Sequence, residues 1–161
     1  MILVLTGVAG AGKTTIGRAL AQRFSVAFFD ADDFHLASSR RKMETGVPLT
    51  EADREPWLNA LRELIADVLS KHGNAVLACS ALRRNHRQFL ARDGVTFVHL
   101  RVSREVARER VQARKGHFFD PRLLDSQFEA LEEGDSGVAV DADQPVEEVV
   151  EDIIEQVKPF R

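Results

Sequence analysis

The segment GVAGAGKT, at residues 7–14, has the residue types and the spacing of a phosphate-binding loop. Four residues separate its two outer glycines, and Lys13 and Thr14 follow directly. Glycine adopts positive φ, so such a loop can turn its N–H groups inward around phosphate oxygens. The lysine would then reach the β- and γ-phosphates, and the threonine would hold Mg²⁺. The segment therefore predicts binding of a nucleotide such as ATP.

The elements around this segment are those that a phosphate-binding loop requires. An apolar run at 2–5 predicts a buried strand, and Ile16, Leu20 and Phe24 then recur at the spacing of one helix face. The positive end of that helix would point at the phosphates. A glycine-rich turn with a solvated lysine is the plainer alternative, but the complete match in this context favours nucleotide binding. The predicted binding residues here are Gly7, Val8, Ala9, Gly10, Ala11, Gly12, Lys13, Thr14 and Thr15.

The second predicted strand spans residues 26–29, and aspartates follow it at positions 30, 32 and 33. Phosphoryl transfer needs a metal ion, an acceptor oriented in line and cations over the transferring group. Asp30 stands where a carboxylate could hold the water shell of Mg²⁺. Asp32 could accept a hydrogen bond from an acceptor hydroxyl and serve as its base. One aspartate of this group could instead cap a helix, and we assign that role to Asp33.

Two pairs of arginines are spaced four residues apart, which predicts a shared helix face for each pair. Arg110 and Arg114 precede a glycine-containing segment that could close over a nucleotide. One of them could stack on adenine and the other could contact the phosphates. Arg83 and Arg87 suit a planar anion such as a carboxylate. Exposed basic helices show the same spacing. The residues alone therefore do not decide whether each pair binds a ligand or lies on the solvated surface.

Short apolar runs alternate with segments of helical period along the chain. We predict further strands at 75–79, 95–102 and 137–140, and a long helix that begins near Thr50, with Asp53 as its capping partner. This alternation predicts an α/β fold with a mostly parallel five-stranded sheet covered on both faces. Ligands of such sheets bind beyond the carboxyl ends of the strands. The phosphate loop, the two aspartates and the arginines after the third strand each follow the carboxyl end of a predicted strand, so we expect them to line such a site.

Composition excludes several other function classes. A chain of 161 residues with 44% hydrophobic residues predicts one domain over residues 1–161. The net charge of −3 argues against a general nucleic-acid binder, and no apolar run is long enough to span a membrane. One cysteine and a first strand that begins at Ile2, with no signal peptide before it, favour the cytoplasm. No carboxylate or cysteine stands at a zinc-ligand spacing from His35 or His117, so the sequence does not predict a zinc site.

Seven segments resemble the bacterial gluconokinase family, in that family's order and over nearly the whole chain. They are residues 7–14, 30–32, 42–49 (KMETGVPL), 53–58 (DREPWL), 79–83 (CSALR), 113–118 (ARKGHF) and 126–128 (SQF). The segments at 42–49, 53–58 and 113–118 are much more specific to this family than the phosphate loop, which many unrelated enzymes share.

The resemblance implies a three-layer P-loop fold like that of nucleoside monophosphate kinases, with a short lid, often as a homodimer. It implies transfer of the γ-phosphoryl group of ATP to the 6-hydroxyl of D-gluconate. The catalytic residues would be Lys13 for the phosphates, Asp30 with Thr14 for Mg²⁺, Asp32 for the acceptor hydroxyl and Arg114 for charge on the transferring group. Arg110 would join the nucleotide site. The implied substrate-binding residues are Asp32, His35, Lys42, Arg54, Arg83, Arg87 and His117, the last of these in the lid.

Three positions depart from the family's pattern. Leu36 stands where proline is usual, Ser39 where asparagine is common and His86 where tyrosine is common. They fall on the predicted acceptor side, so a kinase of this fold that acts on another sugar acid or on shikimate is the nearer alternative. A non-catalytic ATP-binding sensor is the further one, and the intact pair Asp30 and Asp32 argues against it.

Overall fold

A computed structural model describes residues 1–114, 120–134 and 137–160. The elements in chain order are β1 (Ile2–Thr6), α1 (Lys13–Phe24), β2 (Ala27–Asp30), a 3₁₀ turn (Ala31–Phe34), α2 (Ala37–Glu44), α3 (Glu51–Ser70), β3 (Ala75–Ala78), α4 (Arg84–Leu90), β4 (Val95–Arg101), α5 (Arg104–Ala113), α6 (Pro121–Ala130), β5 (Val138–Asp141) and α7 (Val146–Val157). Every predicted strand is present, and no strand end differs by more than one residue from its prediction. Within the described ranges, no helix is both long and apolar enough to cross a membrane.

The five strands form one parallel sheet in the order β2-β3-β1-β4-β5. Strand β1 lies at the centre, with Ile2 opposite both Ala75 of β3 and Val95 of β4. All five residues of β1 are buried, as expected of a central parallel strand covered on both faces. The predicted α/β fold with a parallel five-stranded sheet is confirmed.

Two hydrophobic cores lie on the two faces of the sheet. The alternation of side chains along β1 places Leu3 and Leu5 in one core and Ile2 and Val4 in the other. Helices α1 and α7 contribute to the first core, and α3 contributes to the second. The residues that these helices contribute include Ile16, Leu20, Val149, Val150 and Ile153 in the first core and Trp57, Leu61 and Ile65 in the second. The result is the predicted three-layer architecture, in which the carboxyl end of β1 is held rigidly.

The start of α3 is held by a capping box, as predicted. The Thr50 hydroxyl accepts from the N–H of Asp53 at 3.1 Å, and Asp53 Oδ2 accepts from the N–H of Thr50 at 2.9 Å. Lys42 Nζ of α2 also donates to Asp53 Oδ2, at 2.8 Å. The Lys42 hydrogen bond and the N–H of Thr50 lower the pKa of Asp53 to about 2. The box therefore joins α2 to α3, and α3 carries Arg54 and Trp57.

We expect Thr50→Ala to destabilise the fold by about 1 kcal/mol, because it removes the acceptor for the N–H of Asp53. Thr50→Ser keeps the hydroxyl and serves as the matched control. Urea unfolding followed by circular dichroism measures both. Equal unfolding midpoints for Thr50→Ala and the unmodified protein would show that the start of α3 does not depend on this cap.

Candidate active site

A cavity of about 390 Å³ lies at the carboxyl ends of the central strands. Its wall includes the phosphate loop, the carboxylates that follow β2, the turn after β3 and parts of α3 and α6. The topology therefore brings together segments that are far apart in the sequence. Predicted site residues that line this cavity are Ala9, Gly10, Gly12, Lys13, Thr14, Asp30, Asp32, His35, Arg54, Arg83 and Arg114.

The phosphate loop, residues 7–14, depends on glycine for both conformation and space. Gly7, Gly10 and Gly12 have φ values of 148°, 81° and 93°, a region that other residues rarely adopt. A Cβ atom at Gly10 would lie 2.5 Å from the carbonyl oxygen of Ala107, and one at Gly7 would lie 2.9 Å from that of Leu100. The loop is thus packed against the backbone of β4 and α5, and its shape is fixed.

The backbone N–H groups of this loop fall into two sets. The N–H groups of Gly7, Ala9 and Ala11 donate to protein oxygens, at 3.3, 2.7 and 3.2 Å. Within the described part of the chain, the other N–H groups of the loop have no acceptor, namely those of Val8, Gly10, Gly12, Lys13 and Thr14. Helix α1 also has no side-chain cap and no acidic residue in its first turn. This end of α1 is therefore suited to an anion.

Lys13 lies inside the loop and is partly buried. Its Nζ donates to the carbonyl oxygens of Gly7 and Val8, at 2.8 and 2.9 Å. Burial lowers the pKa of Lys13, and the nearby Asp32 carboxylate opposes that shift. A buried ammonium group of this kind gains strongly from an anionic ligand, since an opposite charge offsets its lost hydration.

Asp30 connects the loop to the segment after β2. Its Oδ2 accepts from the Thr14 hydroxyl at 3.2 Å, and its Oδ1 accepts from the N–H of Asp32 at 3.0 Å. Asp30 is therefore the cap of the 3₁₀ turn, and the assignment of that role to Asp33 is wrong. Asp33 instead lies 3.9 Å from Arg40, on the surface. The hydroxyl of Thr14 and the carboxylate of Asp30 together present hard oxygen ligands.

Asp32 is exposed to solvent, while its carboxyl group has protein atoms around it on the side of the cavity. Desolvation raises its pKa, the adjacent Asp30 raises it further, and Lys13 acts in the opposite direction. A carboxylate with a raised pKa is a stronger proton acceptor than an ordinary aspartate. Asp32 also lies in the wall of a second opening, with Thr15 and Arg114.

A second part of the cavity wall, which we call the acceptor wall, contains His35, Arg54, Arg83 and His86. Glu51 was not predicted, yet it contacts three of these residues. Its Oε1 lies 3.3 Å from Arg54 Nη1 and 3.6 Å from Arg83 Nε. Its Oε2 lies 3.1 Å from Nε2 of the buried His86, and this hydrogen bond is the main cause that lowers the pKa of Glu51. Because an ionised carboxylate only accepts, His86 donates through Nε2.

His35 stacks on Trp57 in the acceptor wall. The ring centroids are 4.5 Å apart and the planes differ by 9°, while Trp57 Nε1 donates to the carbonyl of Ala31 at 2.7 Å. Burial, followed by Arg40 and Arg54, lowers the pKa of His35 to about 4. Its Nδ1 is buried and has no partner among the described residues. His35 is thus a neutral ring with one hydrogen-bonding atom unused.

The prediction that Arg110 and Arg114 share a helix face is wrong. Helix α5 ends at Ala113, and the backbone of Arg114 is extended, with φ −69° and ψ 116°. Arg114 therefore points into the cavity wall, whereas Arg110 Nη1 donates to the carbonyl of Gly10 at 3.2 Å and lies outside that wall. Arg110 supports the shape of the loop from behind.

The predicted pairing of Arg83 with Arg87 is wrong too. Arg83 precedes the first turn of α4 and lines the cavity. Arg87 is buried, and its Nη1 donates to the carbonyl oxygens of Ala81 and Leu82 at 2.7 and 2.9 Å. Ala81 has a φ of 35°, so Arg87 holds a strained turn after β3 and lies outside the cavity lining.

The remaining predicted residues take three kinds of position. Lys42 is engaged with Asp53 and does not line the cavity. Gly7, Val8 and Ala11 are buried behind the cavity lining. The prediction for His117 falls outside the described residues.

Gln127 and His86 extend the site beyond the sequence-based prediction. Gln127 of α6 lies in the cavity wall, and its Oε1 accepts from the N–H of Ala9 at 2.7 Å. The string at 126–128 was the only sequence signal for it. Of the three departures from the family's pattern, His86 lies in the cavity wall, whereas Leu36 is 54% exposed to solvent and Ser39 is buried outside that wall.

Comparisons with known proteins agree on one family. The sequence profile of the shikimate kinase family matches residues 9–158. The thermoresistant gluconokinase of Escherichia coli is 38% identical over 98% of this chain and 93% of its own. Among solved structures, a sugar kinase from Janibacter has a TM-score of 0.91 at 36% identity, covering 98% of this chain and 94% of its own. A gluconokinase from Sinorhizobium meliloti has a TM-score of 0.84 at 39% identity, covering 95% and 89%.

We expect His35 to make stability depend on pH in one direction. The imidazole titrates near 6.5 when the chain is unfolded and at about 4 when it is folded, so the unfolded chain binds this proton first as the pH falls. The contribution of His35 to the free energy of unfolding is constant above pH 6.5 and is lost as the pH falls from 6.5 to 4. The slope of this loss stays below about 1.4 kcal/mol per pH unit, because solvent screens the group.

Urea unfolding at pH 7.5 and 4.5 measures this dependence, with His35→Gln as the non-titrating comparison. The unmodified protein should lose more unfolding free energy on acidification than the variant does. An equal loss in both proteins would contradict the lowered pKa.

Proposed function

The chain belongs to the shikimate kinase family and, among its members, to the gluconokinases, and from this membership we propose that it phosphorylates D-gluconate with ATP. The γ-phosphoryl group passes to the 6-hydroxyl, and the products are 6-phospho-D-gluconate and ADP. The observation that carries the proposal is a single cavity lined by the phosphate loop, Asp32 and two arginines, Arg54 and Arg83.

The nucleotide phosphates bind at the phosphate loop in this proposal. The N–H groups of the loop without protein acceptors, together with the start of α1, receive the oxygens. Lys13 exchanges its two carbonyl acceptors for the β- and γ-phosphates, since an anion is the better partner for a buried ammonium. Arg114, which is close enough to Lys13 to lower its pKa, adds positive charge over the transferring group.

Mg²⁺ would be held through Thr14 and Asp30, whose oxygens already lie within hydrogen-bonding distance of each other. Mg²⁺ commonly uses one or two protein oxygens, with phosphates and water as its other ligands. The described residues contain no cluster of three or more His, Cys, Asp or Glu that could bind a metal, which is consistent with such a sparse site. When bound, the ion neutralises charge on the β- and γ-phosphates.

Asp32 acts on the acceptor. Its carboxylate accepts a hydrogen bond from the 6-hydroxyl and so aims that oxygen at the γ-phosphorus. As the new bond from the hydroxyl oxygen to phosphorus forms and the bond to the ADP oxygen breaks, the hydroxyl proton moves to Asp32. The raised pKa of Asp32 favours this transfer.

The carboxylate of the sugar acid binds at the acceptor wall. Arg54 and Arg83 each use one nitrogen toward Glu51 and have further N–H groups for an anion. Neutral His35 lines the same cavity and can contact the sugar chain through its ring. We therefore propose that Arg83 and Arg54 bind the carboxylate, in place of the expected pair Arg83 and Arg87.

We further propose one kinase domain over residues 1–161 that works in the cytoplasm as a homodimer. The family resemblance supports dimerisation, and the single cysteine suits a reducing compartment. Light scattering coupled to size-exclusion chromatography measures the oligomeric state, and a monomer at micromolar concentration would contradict the dimer.

We expect D-gluconate to stimulate ADP release in a coupled assay with MgATP. The comparison acceptors are other aldonates, shikimate and nucleoside monophosphates. Brisk turnover of one of these with none of D-gluconate would refute the substrate assignment. Binding of ATP without stimulation by any acceptor would favour the sensor alternative.

We expect Asp32→Asn to reduce kcat by about 10²-fold or more, because the amide cannot take the proton. Binding of ATP should be preserved, since the change removes a negative charge beside the phosphates. Steady-state kinetics measure kcat, and isothermal titration calorimetry measures the binding of ATP. Asp33→Asn, an exposed neighbour, is the matched control, and a kcat for Asp32→Asn close to that of the control would remove Asp32 from the role of base.

A further inference from the structure

Gln127 joins helix α6 to the phosphate loop across 118 positions of sequence. Its Oε1 accepts from the N–H of Ala9 at 2.7 Å. The residue also lines the central cavity, next to the part of the loop that contains Gly10 and Lys13. This side chain therefore reaches the place where phosphates would lie, although it comes from neither the loop nor a strand end.

The orientation of the Gln127 amide follows from its partner. A backbone N–H can only donate, so the Gln127 atom that faces Ala9 must be the oxygen. The Nε2 group then points away from Ala9. Within the described ranges, neither of its two N–H donors has an acceptor, whereas the Ala9 contact uses only the oxygen.

The bond to Gln127 also changes what the loop offers to a ligand. The N–H of Ala9 is occupied, so Ala9 does not contribute a donor to the phosphates. Gln127 instead presents two amide donors of its own in the wall of the cavity. These donors add to the free N–H groups of the loop, which lie at Val8, at Gly10 and at the start of α1.

We propose that Gln127 is a further catalytic residue, whose Nε2 donates a hydrogen bond to an oxygen of the γ-phosphoryl group as it is transferred. The proposal rests on the kinase function proposed above. No bond to Gln127 is made or broken in the reaction. The residue stabilises the negative charge on the equatorial oxygens of the transferring group.

A neutral amide adds something that Lys13 and Arg114 do not. It donates without carrying a charge, so it does not compete with them for Asp30 and Asp32. Its geometry is fixed by the bond to Ala9 before a ligand binds. A donor that is fixed in advance costs little reorganisation during the reaction.

The alternative is that Gln127 only holds the loop in place, and Gln127→Glu separates the two roles. A carboxylate can still accept from the N–H of Ala9, but it has no donor for the phosphoryl group and repels it. Gln127→Met loses both the acceptor and the donor at similar volume. Asp125→Asn, an exposed acid-to-amide change on the same helix, is the control for altered charge.

The test compares the Kd for MgADP with the Kd for MgADP plus aluminium fluoride, a mimic of the transferring phosphoryl group. The ratio of the two cancels any effect of loop position on nucleotide binding. We expect both Gln127 variants to reduce the preference for the mimic by at least about tenfold, with the control unchanged. The Kd of Gln127→Glu for MgADP alone should stay within about threefold of the unmodified value.

A preference for the mimic that is unchanged in both variants would overturn the proposal and leave Gln127 a loop anchor. If Gln127→Glu does not fold, Gln127→Met still gives the ratio. The measurement contains no acceptor, so it remains valid if D-gluconate proves not to be the substrate. The kcat of each variant is then compared with that of the unmodified protein, with whichever acceptor the unmodified protein uses. We expect kcat to fall by about 10²-fold in Gln127→Glu.

Discussion

The unmet hydrogen-bonding capacity of the phosphate loop is the constraint on which the rest of the site depends. A donor kept from water without an acceptor costs about 1–3 kcal/mol, so free N–H groups at one point require either hydration or an anion. The loop cannot relieve this by changing shape, because Gly7 and Gly10 are packed against the backbone of β4 and α5. Strand β1, buried along its whole length, fixes where the loop begins. The sheet thereby delivers a preformed anion site to one end of a cavity.

Charge in the cavity is arranged in three zones. Lys13 and Arg114 supply positive charge at the phosphate end, and Arg54 with Arg83 supplies it at the acceptor wall. Asp30 and Asp32 lie near Lys13 and Thr14. Desolvation and then the neighbouring Asp30 carboxylate raise the pKa of Asp32, while Lys13 limits that rise. Phosphates would offset the lost hydration of Lys13, and an acceptor hydroxyl would donate to Asp32, which is the charge arrangement expected for phosphoryl transfer.

The acceptor wall is where this chain can differ from relatives that share its fold. The shikimate kinase profile matches residues 9–158, which contain most of the phosphate loop, four of the five strands and the acceptor wall itself. Glu51 organises the wall by contacting Arg54, Arg83 and His86 at once. His86 is the departure from the gluconokinase pattern that lines the cavity, and its hydrogen bond to Glu51 shows how a histidine is accommodated there. Leu36, which faces solvent, bears little on the acceptor.

Local pattern was sufficient for the strands, the phosphate loop, the capping box at Thr50 and the positions of Asp30 and Asp32. Each depends on apolar periodicity, on glycine at positive φ or on residues within a few positions of one another, and these are properties of short segments. Spacing alone failed for the arginines. The end of α5 turns Arg114 away from Arg110, and Arg87 is drawn to the carbonyl oxygens of a strained turn. Contacts such as Gln127 with Ala9 and Glu51 with His86 join positions 118 and 35 residues apart, and only the packing of helices on the sheet decides them, because no local pattern encodes where two distant side chains meet.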